Sequence, residues 1–274
     1  MNKMSNLTQR AITAVIGVSL LLSLLFYGSG FAIQLFVGFL SLGMVYEFSN
    51  MAFGLADKKV KTFFLLFFTA IFQLLIWNYP YALMHLVFLS FLLSFAVFLF
   101  LAKQHAEHSI KPHFVELTLS CFGFTYLSVL PCALVFIRFL PSGKEWLILF
   151  FILIWVTDTG AYFGGRLLGR RLLYKEISPK KTLEGAITGT VFAVIAVWFF
   201  SEALDMQVSI MQIILTASST SIASQIGDLS ESLLKRAFGC KDSGRLLPGH
   251  GGLLDRFDSV VFAAPIMYAC ILLV

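Results

Sequence analysis

The sequence predicts an all-α protein that crosses a membrane many times, and three observations carry that reading. Of its 274 residues, 58% are AVILMFWYC and only 13% are DEKR, against about 25% charged residues in a soluble domain. The mean hydropathy is +0.87, so the apolar surface exceeds what a water-facing core can hide, and disorder is excluded on the same ground. The apolar residues are also gathered into runs near the roughly 20 residues a helix needs to span about 30 Å of hydrocarbon. An ordinary cytosolic enzyme is thereby excluded. The four Cys lie far apart with no C-x-x-C pair, so neither a disulfide framework nor a cysteine metal site is expected.

Nine runs separated by charges or by Gly, Pro and Asn turns qualify as spans: 11–27, 31–53, 62–78, 81–102, 114–137, 146–165, 183–201, 207–227 and 254–274. The first resembles a signal peptide, because Lys3 and Arg10 precede it. It is longer than the usual apolar core of about 7–15 residues and is kept as a helix. Basic segments resist translocation. A cytoplasmic N-terminus puts eighteen of the twenty Lys and Arg on the cytoplasmic side and leaves only Arg138 and Lys144 outside. The net charge of +5 therefore reads as topology, and no nucleic-acid partner is expected. The expectation is about nine transmembrane helices with the N-terminus cytoplasmic and the C-terminus outside. The expected location is a bacterial inner (plasma) membrane, with the working face toward the cytoplasm.

Residues 1–137 carry no interpretable motif and are expected to form a scaffold of transmembrane helices and a lipid-facing wall. Glu47 and Glu116 are the only acids within their apolar spans. Residues 138–274 are expected to be the catalytic transmembrane region, because they hold the polar cytoplasmic loops 166–182 and 228–258.

Asp158 stands in the middle of an apolar helix, in Thr157-Asp-Thr-Gly-Ala-Tyr-Phe-Gly-Gly165. A central carboxylate costs about 2.5–3.5 kcal/mol on insertion scales, so it faces a protein interior, a partner or a cavity. It is either a polar contact joining helices or a site carboxylate near the cytoplasmic face. Gly165-Arg-Leu-Leu-Gly-Arg-Arg171 lacks the Lys-Ser/Thr of a P-loop. In Ile177-Ser-Pro-Lys-Lys-Thr-Leu-Glu-Gly185, Ser178 is expected to cap a helix that starts at Pro179. Lys180, Lys181 and Thr182 would then stand in a first turn suited to an anion. Basic residues flanking a membrane helix are also ordinary topological anchors, the better reading for Arg170, Arg171 and Lys175.

Asp228, Glu231 and Lys235 are spaced i, i+3, i+7 and share a helical face; Asp255 and Asp258, at i, i+3, share another. Asp228, Asp255 and Asp258 are expected to meet at the cytoplasmic surface. There they would repel one another unless cations neutralised them, and hard oxygen ligands suit Mg²⁺. Such a site serves phosphoryl or nucleotidyl transfer. Pro248-Gly-His-Gly-Gly252 is flexible enough to bring backbone N–H groups to phosphates. His250 is either a donor to substrate or structural.

The chain resembles the phosphatidate cytidylyltransferases, or CDP-diacylglycerol synthases. The resemblance rests on Ser232-x-x-Lys235-Arg236, Lys241-Asp242-x-Gly244, Leu247-Pro248-Gly-His250-Gly-Gly and Asp255-Arg256-Phe-Asp258, with the two upstream segments at Asp158 and Ser178. It implies transfer of CMP from CTP to phosphatidate in the bilayer, giving CDP-diacylglycerol and pyrophosphate. It also implies a divalent metal, Mg²⁺, with a second ion, K⁺ or Mg²⁺, in some members. Carried over by position, Asp228, Asp255 and Asp258 become the metal-site acids and, with Lys235, the catalytic set. Asp158, Ser178, Lys181, Thr182, Lys241, His250 and Arg256 become substrate-binding candidates. A homodimer is compatible with this reading.

A CTP-dependent lipid kinase is the nearest rival. A secondary transporter would also hold acids among helices, but it leaves the Gly-rich, Lys-rich loop unexplained. The D-G-x-x-A-R pattern of CDP-alcohol phosphatidyltransferases does not occur.

Overall fold

The computed structural model describes residues 6–54, 58–78, 87, 92 and 110–273. Its helices are α1 (Asn6–Tyr27), α2 (Gly30–Ala52), α3 (Lys58–Asn78), α4 (Ile110–Phe124), α5 (Cys132–Arg138), α6 (Gly143–Leu168), α7 (Leu183–Ala203), α8 (Ile210–Ala237) and α9 (Leu254–Leu273). A π-helical turn, Thr125–Val129, joins α4 to α5, and strands β1 (Leu172–Tyr174) and β2 (Ser178–Thr182) form a hairpin between α6 and α7.

Among the described residues, six helices are long and apolar enough to span a membrane: 30–52, 58–78, 114–138, 143–168, 183–203 and 254–273; Ala11–Tyr27 is a shorter apolar stretch. The expected span 81–102 lies outside the described residues. The expected span 207–227 is helical, as α8, but is not among the six, because Thr216, Ser218, Ser219, Thr220, Ser221, Ser224 and Gln225 dilute its apolar content. The run at 114–137 is one span broken in two. The Leu130 amide reaches back to the Thr125 carbonyl at 3.2 Å, and Pro131, which has no amide hydrogen, then restarts the helix as α5. Caps are local and ordinary: Ser29 accepts from the Ala32 amide at 3.2 Å and Ser209 from Gln212 at 3.1 Å.

Small residues set the crossing of α6 and α7. Gly160 and Gly165 of α6 face Gly189 and Gly185 of α7, which lets two backbones approach closely. A Cβ on Gly185 would lie 2.7 Å from the Ala161 carbonyl oxygen, one on Gly189 2.7 Å from that of Thr157, and one on Gly164 would collide with Thr188. Gly227 of α8 does the same against α9, where a Cβ would come within 2.6 Å of the Asp258 carbonyl oxygen. The acids carried by α6, α8 and α9 are drawn together by these contacts.

The first helices are more than a wall. Ile33 and Val37 of α2 are buried with Leu149, Leu153, Val260 and Ala264, while Leu40, Met44 and Phe48 enter a second core with Leu65, Phe72, Leu127 and Val261. One helix of the N-terminal part thus shares both cores with the helices that carry the polar motifs.

Candidate active site

Where α6, α7 and α8 meet the hairpin lies a cavity of about 460 Å³, lined among others by Asp158, Arg166, Ser178, Lys180, Lys181, Thr182, Gln225 and Asp228. Asp158 is exposed into it rather than locked in a helix contact. The inter-helix contact is made by its neighbour: Thr157 donates to Ser221 at 3.1 Å, and Ser221 to Thr190 at 3.1 Å. Gln225 adds bonds to the Ala186 carbonyl and to Thr190, each at 3.2 Å. These groups satisfy one another below the cavity and fix its floor.

The helix expected from Pro179 is instead strand β2. Leu172 pairs with Thr182 and Tyr174 with Ser178 in an antiparallel ladder, and the Leu183 amide donates to the Arg171 carbonyl at 2.9 Å. The cap is Thr182, not Ser178: its backbone is extended at φ −119°, ψ 153°, and its hydroxyl oxygen accepts from the Gly185 amide at 3.2 Å. Pairing satisfies the backbone of 178–182 before the helix begins, and β-branched Thr suits the extended position. Glu184 in the first turn of α7 accepts from the Arg170 and Arg171 amides at 3.0 and 3.1 Å, tying the hairpin down. Ser178, Lys180 and Lys181 therefore reach the cavity from a strand.

Two charged groups form around α8. In the cavity, Lys181 is ion-paired with Asp228, and Asp228 lies within electrostatic range of both Asp158 and Asp258. Outside it, the Lys235 ammonium stands 2.6 Å from Glu231 and 2.8 Å from Asp255. Asp255 is bound further: its Oδ2 accepts from the Ser243 amide at 3.0 Å and the Gly252 amide at 2.8 Å. Glu231 lies beyond the apolar part of α8, and burial, only partly opposed by Lys235, pushes its carboxyl up to about 8.

The three acids expected to share a metal are thus divided. Asp228 and Asp258 stand with Asp158 and Lys181, whereas both oxygens of Asp255 are engaged by Lys235 and two amides. Lys235, expected to handle phosphate, is held between Glu231 and Asp255. Among the described residues no group of three or more His, Cys, Asp or Glu could hold an ion by itself. The donor chemistry still fits a divalent cation: Asp158 and Asp228 line the cavity, and Asp258 lies within electrostatic range of both. Mg²⁺ commonly takes only one or two carboxylates and fills its shell with water and phosphate oxygens.

Lys241, His250 and Arg256 do not line the cavity. Lys241 is exposed on the loop after α8. Arg256 donates through Nε and a terminal nitrogen to the His250 carbonyl at 3.1 and 2.8 Å, closing a tight turn in which Gly249 and Gly251 have φ of 76° and 84°. Nδ1 of His250 is buried with no hydrogen-bond partner among the described residues. Residues that the spacing did not single out are Gln225 and Ser243, the variable position in Lys241-Asp242-x-Gly244.

A phosphatidate cytidylyltransferase of Staphylococcus haemolyticus is 43% identical to this chain over 148 residues, 53% of the chain and 57% of the relative. One of Staphylococcus epidermidis matches at 43% over 148 residues with the same shares. One of Bacillus subtilis is 47% identical over 117 residues, 43% of this chain and 44% of the relative. The chain spans about half the length of these curated relatives. The model of the cytidylyltransferase family matches far more, residues 8–274, and takes in both charged groups, the hairpin and the loop after α8. On that match the chain belongs to the cytidylyltransferase family.

Proposed function

We propose that this chain transfers CMP from CTP to phosphatidate, forming CDP-diacylglycerol and pyrophosphate, in the cavity between α6, α7, α8 and the hairpin. The observation that carries the reading is that two unlike spaces lie side by side and share lining residues. The polar cavity shares Leu173, Ala186 and Gln225 with an apolar groove of about 530 Å³, lined also by Ile187, Val191, Ile222 and Ile226. A charged phosphate on an acylated glycerol has both characters. The curated relatives, named phosphatidate cytidylyltransferases, support the same substrates.

In this reaction an oxygen of the lipid phosphate forms a bond to the CTP α-phosphorus as the bond from that phosphorus to the β-bridging oxygen breaks. The electron pair leaves on pyrophosphate. A phosphate monoester is largely ionised at neutral pH, its second pKa being about 6, so no strong general base is required. Lys180 and Lys181 place positive charge where phosphate oxygens would lie. The Thr182 oxygen is already an acceptor in its cap, leaving its O–H to donate; Ser178 offers a second hydroxyl. Asp228 holds Lys181 in the cavity. Asp228 and Asp258 would hold Mg²⁺, whose charge against the phosphate oxygens is the chemistry it supplies when bound.

The orientation follows from charge: about nine spans, the cavity mouth and the loop after α8 in the cytoplasm, the C-terminus outside, in a bacterial inner membrane. The test uses purified protein with phosphatidate and CTP labelled at either the α- or the γ-phosphorus. Expected are α-label in the lipid and released pyrophosphate; γ-label in the lipid would make the protein a CTP-dependent lipid kinase and refute the transferase reading.

A further inference from the structure

α2 belongs to a stretch of sequence with no recognisable motif, yet one of its faces is shaped for the loop after α8. Gly43, Glu47 and Met51 recur every four residues and so lie along one side of the helix. A Cβ on Gly43 would stand 2.6 Å from a Leu253 methyl carbon, so the missing side chain admits that leucine. The Met51 sulfur is 3.4 Å from Cys240 Sγ. Between them is Glu47, a carboxylate buried to 2% exposure.

Burying a carboxylate is costly unless hydrogen bonds replace its water, and here the loop supplies them. Glu47 Oε2 accepts from the Leu254 amide at 2.9 Å and the Ser243 hydroxyl at 3.3 Å, and Oε1 accepts from the Leu246 amide at 3.4 Å. The loop has made room for it. A Cβ on Gly244 would collide with Oε1, and one on Gly252 would sit 2.6 Å from Oε2. Ser243 passes the contact on: its hydroxyl oxygen accepts from the Asp255 amide at 3.3 Å, while its own amide donates to the Asp255 carboxylate, which holds Lys235. One hydrogen-bonded path thus runs from α2 through the loop to the start of α9, the helix that carries Asp258 one turn further on.

We propose that Glu47 is a positioning residue of the transferase: its carboxylate sets the 243–254 loop and, through Ser243 and Asp255, the first turns of α9. The inference rests on the transferase reading above. It also gives the glycines a steric reason: the carboxylate occupies the space a Cβ on Gly244 would need, and the Ser243 hydroxyl together with the carboxylate the space one on Gly252 would need.

Glu47→Gln is the test. The amide has nearly the same shape, but its NH₂ must face either the Leu246 or the Leu254 amide, donor against donor. A misplacement of about 1 Å at a reacting group costs on the order of 100-fold. The expected result is a fall of about ten- to hundred-fold in kcat/KM for CTP, with a detergent melting temperature lowered no more than by Gln73→Leu. Gln73 is a buried polar residue bonded to Ser41 and Ser128 away from the loop; its variant should keep wild-type kcat and KM per folded molecule. Hydrogen exchange supplies a readout that needs no activity: amides at 243–254 should exchange faster in Glu47→Gln, with the remaining helices unchanged. Unaltered exchange in the loop, or activity lost only in proportion to folded protein, overturns the proposal. Should Glu47→Gln not fold, Ser243→Ala, which removes the hydroxyl's bonds to Glu47 and from the Asp255 amide and leaves the carboxylate, is read in the same two ways. If wild-type protein forms no CDP-lipid, the transferase reading fails while the exchange result still judges the role of Glu47 in setting the loop.

Discussion

Lys235→Met should damage folding before it damages chemistry. The Lys235 side chain is 15% exposed and stands between Glu231, 1% exposed, and Asp255, 11% exposed, at 2.6 and 2.8 Å. Methionine keeps most of the stem volume but leaves two buried carboxyls facing one another without a cation. Removing one member of a buried pair costs about 3–5 kcal/mol, on the order of 10²–10⁴ in the folding equilibrium. In a melting experiment this corresponds to a fall on the order of 10 °C. The deficit should depend on pH with a defined sign. Burial raises the Glu231 carboxyl from 4.5 to about 8 in the folded protein, and Lys235 opposes that rise. A folded carboxyl with a raised pKa keeps a proton that the unfolded chain has released, so its contribution to stability falls as pH climbs from 4.5 through 8. Without Lys235 the window extends higher, so Lys235→Met should be closest to wild type near pH 5 and furthest from it near pH 9. Glu231→Gln combined with Lys235→Met removes the stranded charge and should recover a large part of the loss. The assay is melting in detergent across pH, with CDP-lipid formation measured per folded molecule. A Lys235→Met protein that melts like wild type at pH 9 yet is inactive would refute the argument, because the ammonium would then be serving substrate and not the frame.

Lys181→Ala should lower CDP-lipid formation by about 100-fold, whereas Lys175→Ala, exposed at the hairpin turn, should be nearly normal; equal small effects would reduce the hairpin to a topological anchor. Asp228→Asn and Asp258→Asn should leave a folded protein whose rate drops by about 10²–10³ with an altered Mg²⁺ dependence, while Asp255→Asn should lower the melting temperature first, which a Mg²⁺ titration combined with melting separates. In a chain whose four cysteines are replaced, cysteine at exposed Asp242 should label only from the cytoplasmic side and cysteine at exposed Glu202 only from outside; labelling from one side would overturn the topology.

The membrane character was legible because it depends only on composition and run length. Helix positions followed closely: 31–53 is observed as Gly30–Ala52 and 183–201 as Leu183–Ala203. The residue-level misreading is instructive at Ser178-Pro-Lys-Lys-Thr182. Serine before proline is a sound helix-start signal, but Thr182 four positions later is an equally sound one. Only the pairing partner at Leu172–Tyr174 decides between them, and that is a tertiary fact. Likewise α8 reads as a span of ordinary polarity until Ser221 and Gln225 are seen bonding to Thr157 of α6 and Thr190 of α7.

Candidate site residues can be picked out from the sequence, but their partners much less so. Spacing of i, i+3 places Asp255 and Asp258 on one side of α9, but a helical turn is long enough for two carboxyls on the same side to meet different neighbours. Asp255 lies at the level of the loop, and the loop's amides and Lys235 take it. Asp258 lies one turn deeper, where Gly227 lets α8 press against its backbone and brings Asp228 within range. The small residue beside an acid was therefore as informative as the acid, since it determines which helix can come near. By the same logic Gly244 and Gly252 in the loop and Gly43 on α2 record a close approach that no charge pattern reveals. It is there that the otherwise motif-free part of the chain touches the machinery.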